Sequence, residues 1–143
     1  VRFIEYMDVG TTNGWSLDEV VSASEIRDII GDSEKITPEN KSDVAKRYKL
    51  PNGGEVGIIS SVTEPFCNDC TRARLSSDGR LFTCLFSNKG LDLLSPIRDG
   101  ATDDHITDLI REHWNARKDR YSEERALHST KKKEKVEMSY IGG

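Results

Sequence analysis

Cysteine is scarce in this chain, with three residues in 143, and an odd count makes a disulfide scaffold a poor reading and reduced cytosolic thiols the better one. Long apolar runs are missing too. None approaches the roughly twenty residues that a bilayer span requires, and no charged-then-apolar leader opens the chain, so the expectation is a cytoplasmic protein with no membrane partner. Nor is there an excess of positive charge. Twenty-one basic against twenty-five acidic side chains leave a net charge of −4, which argues against a nonspecific nucleic-acid binder working through its whole surface. With 35% hydrophobic and 32% charged residues and no internal repeat, the chain is neither collagenous nor low-complexity. What remains is a length suited to one compact domain, able to bury roughly two thirds of its unfolded surface without cross-links.

The charge is unevenly spread. Residues 1–66 carry seven Lys or Arg against twelve Asp or Glu, whereas 67–98 carry five against three and 116–143 carry eight against five. Positive charge therefore gathers around the cysteines and in the tail. The chain opens at Val1 inside a β-rich run, Val1 to Met7, which reads as a fragment or processed chain starting in mid-strand, with the strand covered on both faces. Ser22-Ala23-Ser24-Glu25 has capping-box spacing, Ile26, Ile29 and Ile30 mark one face, and Gly31 is a stop, so a short helix is expected there. Residues 32–45 read as a surface loop. Pro51-Asn52-Gly53-Gly54 joins 45–50 to 55–59 as a hairpin, and Ser76-Ser77-Asp78-Gly79 joins 72–75 to 80–83 as another. Ser95-Pro96 is expected to cap a short helical turn closed by Gly100, and the longest helix is expected from Thr102 through Trp114. After Lys118 the sequence is polar and aperiodic, so mobility is expected through Lys135.

Cys67, Cys70 and Cys84 form a C-x2-C-x13-C pattern without a fourth cysteine. Two thiolates spaced by two residues can serve one metal centre from a single turn. The second hairpin would bring back the third, which fourteen residues of extended chain would otherwise hold about 45 Å away. Zinc would need a fourth ligand, and His105, His113 and His128 do not have zinc-finger spacing. An iron-sulfur cluster with one open iron accounts for three ligands directly. On spacing alone cluster and zinc stay balanced, and three unrelated buried thiols are the bland alternative. Arg72 and Arg74 alternate beside this site, which on a strand would turn both guanidinium forks to one face as an anion site suited to phosphates. An isolated Arg-x-Arg is ordinarily a solvated face, and the neighbouring thiols are what favour the anion site.

Phe66-Cys67-Asn68-Asp69-Cys70-Thr71-Arg72-Ala73-Arg74-Leu75, then Asp78-Gly79, then Cys84-Leu85-Phe86 resembles the second-cluster signature of the MoaA family, the radical S-adenosylmethionine GTP 3',8-cyclases of molybdenum-cofactor biosynthesis. Arg2-Phe3-Ile4-Glu5-Tyr6-Met7 resembles that family's last barrel strand, and Met138-Ser139-Tyr140-Ile141-Gly142-Gly143 its C-terminal tail. The resemblance implies that Cys67, Cys70 and Cys84 hold a [4Fe-4S] cluster whose open iron meets the guanine of GTP. It further implies that Arg72, Ala73 and Arg74 bind GTP, that Met7 lies against S-adenosylmethionine, and that Gly142 and Gly143 reach into the active site as catalytic residues. In such an enzyme hydrogen abstraction from the ribose C3' lets that carbon attack guanine C8, giving (8S)-3',8-cyclo-7,8-dihydroguanosine 5'-triphosphate.

The family's first cluster motif, C-x3-C-x2-C, which cleaves S-adenosylmethionine, is absent from these residues, so the chain alone is expected to be inactive. S-adenosylmethionine and a second [4Fe-4S] cluster would belong to the N-terminal half of a longer parent. The expected fold class is α+β: the C-terminal segment of an incomplete radical-SAM α/β barrel, with a small antiparallel sheet and helices carrying an iron-sulfur site. Residues 1–15 would be the last barrel strand and its loop, 16–118 the cluster- and GTP-binding domain, and 119–143 a flexible tail ending in Gly-Gly. GTP would be the substrate, and cyclic pyranopterin monophosphate synthase the next enzyme of the pathway. A homodimer is left open. The reading of another class is a non-catalytic zinc-stabilised interaction module, and an electron-transfer ferredoxin is weaker still, since such proteins usually saturate their irons with four cysteines.

Overall fold

The computed structural model describes residues 1–40, 42–128 and 136–141, with the backbone alone for 126–128. Residues 129–135, Gly142 and Gly143 lie outside it, and with them part of the expected mobile stretch and the glycine pair. The fold is mixed α and β, with two small sheets. Two compact units emerge: Val1–Asp8, Gly14–Thr71 and Ser122–Ala126 form one, and Val9–Asn13, Arg72–Tyr121 and the tail from Leu127 form the other.

The first unit is built on a four-stranded sheet, comprising β1 (Arg2–Ile4), β2 (Glu34–Lys35), β3 (Lys46–Lys49) and β4 (Glu55–Ile59) in the order β1-β4-β3-β2. The hairpin β3–β4 forms about its Pro51–Gly54 turn as expected, with Tyr48 opposite Val56. β1 lies parallel to β4, Phe3 opposite Ile58. It is not covered on both faces: Val1, Phe3 and Ile4 are 83%, 38% and 59% exposed, since the described residues do not pack over these side chains. Helix α1 (Ala23–Ile30) has the anticipated capping box, with Ser22 Oγ accepting from Glu25 N–H and the Glu25 carboxylate accepting from Ser22 N–H at 2.8 Å. Gly31 is its C-cap. Of the three isoleucines, Ile26 enters the core with Ala23, Tyr48, Val56 and Ile58, Ile30 packs at its margin, and Ile29 is 81% exposed. The loop 32–45 contributes β2, which pairs Lys35 with Tyr48.

One buried carboxylate ties this unit together. Glu5, 2% exposed, accepts hydrogen bonds from Ala23 N–H at the start of α1 (2.8 Å), from Val62 and Thr63 N–H (2.7 and 2.9 Å) and from Thr63 Oγ1 (2.5 Å). A helix start and a loop, both rich in orphan amides, thereby share one anion.

The second unit carries the sheet β5 (Arg74–Leu75), β6 (Arg80–Phe82) and β7 (Leu91–Asp92), antiparallel throughout. Gly79 closes the β5–β6 turn with φ +77°, and a Cβ there would stand 2.7 Å from Leu94 Cβ, so both backbone and space demand glycine. Helix α2 (Leu94–Arg98) is not capped by Ser95. The Asp92 carboxylate caps it, accepting from Leu94 and Ser95 N–H at 3.0 and 3.1 Å and from Ser95 Oγ at 2.7 Å. An ionised acceptor three residues earlier outcompetes the hydroxyl. Helix α3 (Asp103–Asn115) begins at its Thr102 cap as expected, and Asp103 and Asp104 occupy the first turn.

Where aperiodic mobile chain was expected after Lys118, helix α4 (Tyr121–His128) forms. Its sequence lacks an apolar stripe, but it holds good helix formers and places Glu123 and Glu124 in the first turn. Among the described residues of this second unit, Phe82, Leu93 and Ile141 are the buried apolar ones.

Candidate functional site

Cys67 and Cys70 lie at the two ends of one 3-10 turn, Cys67–Asp69, whose closing bond runs from Cys70 N–H to Cys67 O at 3.3 Å. The C-x2-C spacing thus supplies two thiols from a single turn, both half-buried. The chain leading into the turn is pinned at several points. Glu5 holds residues 62 and 63, and Glu64 pairs with Lys46 and, at 3.5 Å, with Arg27. The hydrogen bond from Lys46 is the main reason that Glu64 is held below the usual carboxylate range. Phe66 and Asp69, on either side of Cys67, line an open groove of roughly 360 Å³ together with Lys35, Val44, Lys46 and Pro65. The turn therefore borders accessible space rather than the core.

Cys84 belongs to the second unit, two residues beyond β6, and is also half-buried. Its neighbours are fixed by side chains from the region after α3. The buried Thr83 donates its hydroxyl to Asp119 Oδ2 at 2.5 Å, and Phe86 stacks on Tyr121 with ring centroids 4.5 Å apart and 21° between planes. Ser87 N–H donates to Cys84 O at 3.1 Å, closing a backbone turn that begins at Cys84. Asp119 and Tyr121 went unrecognised in the sequence because the stretch that contains them lacks periodicity.

β5 comprises only Arg74 and Leu75, so Arg72 precedes the ladder. The expectation that both arginines share one strand face therefore rests on a longer strand than forms. Arg72 and Ala73 are exposed and Arg74 is half-buried, opposite Phe82. Met7 is half-buried, two residues beyond Glu5. Among the described residues, no three His, Cys, Asp or Glu side chains surround a common metal position. The fit of the cysteines to a metal centre thus rests on donor chemistry: half-buried thiols in a number that suits an iron-sulfur cluster with one open iron, two of them on one tight turn. His105 and His113 lie on α3, away from any short pairing in the sequence with the thiols.

A family model described as Molybdenum Cofactor Synthesis C matches residues 1–123. The chain belongs to this molybdenum cofactor synthesis family. Among its relatives is the GTP 3',8-cyclase of Staphylococcus haemolyticus, 47% identical over 150 residues, in a match covering 100% of this chain and 44% of that protein. The GTP 3',8-cyclase of Synechococcus sp. is 41% identical over 146 residues, covering 100% of the chain and 42% of the relative. That of Acidothermus cellulolyticus is 43% identical over 171 residues, covering 100% and 47%. The chain spans less than half the length of these relatives. The matches bear out the resemblance, drawn from the cysteine and arginine motifs, to the C-terminal part of the MoaA family. Among the described residues no helix is long and apolar enough to cross a membrane.

Proposed function

We propose that this chain is the GTP- and [4Fe-4S]-binding C-terminal part of a radical-SAM GTP 3',8-cyclase in molybdenum cofactor synthesis, with β1 as the last strand of that enzyme's barrel. The observation that carries the reading is the set Cys67, Cys70 and Cys84, with Arg72 and Arg74 beside it, in a chain 47% identical over its whole length to a protein named GTP 3',8-cyclase.

Cys67 and Cys70 from their turn and Cys84 from the segment held by Asp119 and Tyr121 would be the three cluster ligands. When bound, the cluster would supply an open, Lewis-acidic iron to a guanine nitrogen or oxygen. A four-iron cluster with three thiolates carries a net charge of about −1 in its oxidised state, so its field does not attract a triphosphate. Arg72 and Arg74 would meet that need. Their forked guanidinium groups can grip phosphate oxygens in pairs, and the backbone at Ala73, without a bulky side chain, lets both approach. Anchoring the phosphate end while the base is held elsewhere fixes the ribose in orientation, which is what a radical step requires. Met7 would lie against S-adenosylmethionine, and Gly142 and Gly143 would reach the reacting groups, since a side-chain-free segment can enter a crowded pocket.

The test is a GTP titration of the anaerobically reconstituted protein, followed by the electron paramagnetic resonance of the cluster. The expected result is a spectral change on adding GTP, with affinity lowered by about tenfold or more in the Arg72→Ala, Arg74→Ala variant, since each lost charge-assisted contact is worth about 1.5–3 kcal/mol. Unaltered spectra and unaltered affinity would overturn the reading. Zinc at unit stoichiometry without acid-labile sulfide would point instead to a metal-stabilised interaction module.

A further inference from the structure

Of the three thiols, Cys84 is the one that the sequence leaves alone. Cys67 and Cys70 share a hydrogen-bonded turn, whereas Cys84 follows β6 with no second cysteine near it in the sequence, so tertiary contacts must hold it. Those contacts come from one short stretch. Thr83, immediately before Cys84 and 5% exposed, donates its hydroxyl to Asp119 Oδ2 at 2.5 Å, and Phe86, two residues after Cys84, stacks on Tyr121. Asp119 and Tyr121 are two positions apart, so about 7 Å of chain at most separates the two fixings. Asp119 is itself braced. Arg117 Nε stands 3.9 Å from the same Oδ2, and the Arg117 guanidinium lies over the Trp114 ring of α3, 4.5 Å from its centroid. Threonine is stiff about χ1, so a hydroxyl fixed in space fixes the backbone that carries it, and the next Cα, about 3.8 Å on, belongs to Cys84.

We propose that Asp119 is a positioning residue, which holds the Cys84 thiol in place before any metal arrives. The difference in burial between the partners makes Asp119, rather than Thr83, the controlling member. The Asp119 side chain is 28% exposed, so water can replace the Thr83 hydroxyl if that is removed. Thr83 is buried, out of water's reach. Without its acceptor the hydroxyl must stay unsatisfied or carry the segment toward solvent, and Cys84 would move with it. Asparagine at position 119 would still accept the bond, and alanine would not. A donor fixed beforehand also spares metal binding the entropy of ordering it. The role toward a metal centre rests on the reading of the three thiols given above, whereas the hold on Cys84 does not.

The test is the rate at which iodoacetamide alkylates each thiol of the reduced, metal-free protein, resolved by peptide mass spectrometry, with Cys67 and Cys70 as controls in the same molecule. Cys84 is expected to react about tenfold faster in Asp119→Ala, about threefold faster in Thr83→Val, and within about twofold of the wild type in Asp119→Asn and Thr83→Ser, because only the first strands a buried donor. Asp119→Ala combined with Thr83→Val should be no faster than Thr83→Val alone, since both partners are then gone. Unchanged Cys84 rates, or a rise shared equally by all three thiols, would overturn the positioning. So would an equal rise in Asp119→Asn and Asp119→Ala, which both remove the charge, since the effect would then be electrostatic. Should Asp119→Ala not fold, the order of Thr83→Val above Thr83→Ser decides. After anaerobic reconstitution, loss of iron to a chelator should follow the same order, with the electron paramagnetic signal altered in Asp119→Ala and restored in Asp119→Asn. Identical release and spectra in every variant would overturn the bearing on the metal centre. A wild-type protein that takes up no iron and sulfide, with Cys84 alkylation still ordered as above, would sink the cluster reading and leave the hold on Cys84 standing.

Discussion

Arg125 Nε donates to Asp8 Oδ1 at 2.9 Å inside the first unit, where Asp8 is 6% and Arg125 8% exposed. The same guanidinium donates to Ser61 O and Ser122 O, both at 3.4 Å, and lies 6.0 Å from the centroid of the Trp15 ring. Residues from the beginning, the middle and the far end of the chain thus meet at one ion pair. Its partners are 117 positions apart, and it ties Arg125 of α4 to the chain just beyond β1.

Removing one member should be worse than removing both. Asp8→Ala is expected to destabilise the first unit by about 3–5 kcal/mol, because it strands a buried guanidinium, whereas replacing both residues with apolar ones of similar volume should cost far less. Urea unfolding followed by circular dichroism, compared across the two single variants and the double one, measures this. Additive losses would contradict it.

Glu5 offers a sharper contrast. Glu5→Ala leaves the amides of Ala23, Val62 and Thr63 without their acceptor and should cost on the order of 3 kcal/mol, at about 1–3 kcal/mol for each buried group left unsatisfied. Glu5→Gln retains one carbonyl oxygen and should lose less. Chemical denaturation distinguishes the two, and amide exchange at Ala23 and Thr63 should accelerate first.

The second unit supports Cys84 through an aromatic pair. Tyr121→Ala removes the ring stacked on Phe86 and, at about 0.5–1.5 kcal/mol beyond buried area, should loosen the 83–87 segment. In reconstituted protein the expected outcome is faster loss of iron to a chelator than from the wild type. Equal rates would mean that the stacking does not bear on the ligand.

Acid should release the tail. The Thr11 hydroxyl, the Thr11 amide and the Thr12 hydroxyl lower the Glu137 value, so the carboxylate is more acidic docked than free. Its contribution is then fully present above the free value of about 4.3 and disappears as pH falls through the docked one. The Ile141 methyl resonances should accordingly move toward random-coil positions only on the acid side of the free carboxylate value, and Glu137→Gln should shrink that transition to the part that Asp78, the acceptor of the Tyr140 hydroxyl, still carries. A shift centred near neutrality would contradict it.

Local chemistry was readable from the sequence and distant chemistry was not. The Ser22–Glu25 capping box, the Gly31 stop, both hairpins and the Thr102 cap each involve residues within a few positions of one another, and all are present. Ser95-Pro96 points to a cap at Ser95, whereas the acceptor that caps α2 is the Asp92 carboxylate, three residues earlier. The expectation for β1 failed because an apolar run shows what a strand could bury and not whether another part of the chain packs over it. Of the site, the C-x2-C turn was legible by spacing. The Thr83–Asp119 and Phe86–Tyr121 contacts were not, and neither was the bond from Thr11 to Glu137, whose partners are 126 positions apart.

The parallel pairing of β1 with β4 also governs the order of assembly. A hairpin such as β3–β4 closes in roughly 1–10 μs, whereas bringing Arg2 beside Gly57 must first close a much longer loop. The hairpin is then the nucleus and β1 the latecomer, so Val56→Ala should slow refolding while Phe3→Ala mainly hastens unfolding. Until β4 has formed, Arg2–Ile4 lacks the partner that its backbone donors and acceptors find in Gly57–Ile59, and an unpaired strand edge of that kind is what another chain could pair with.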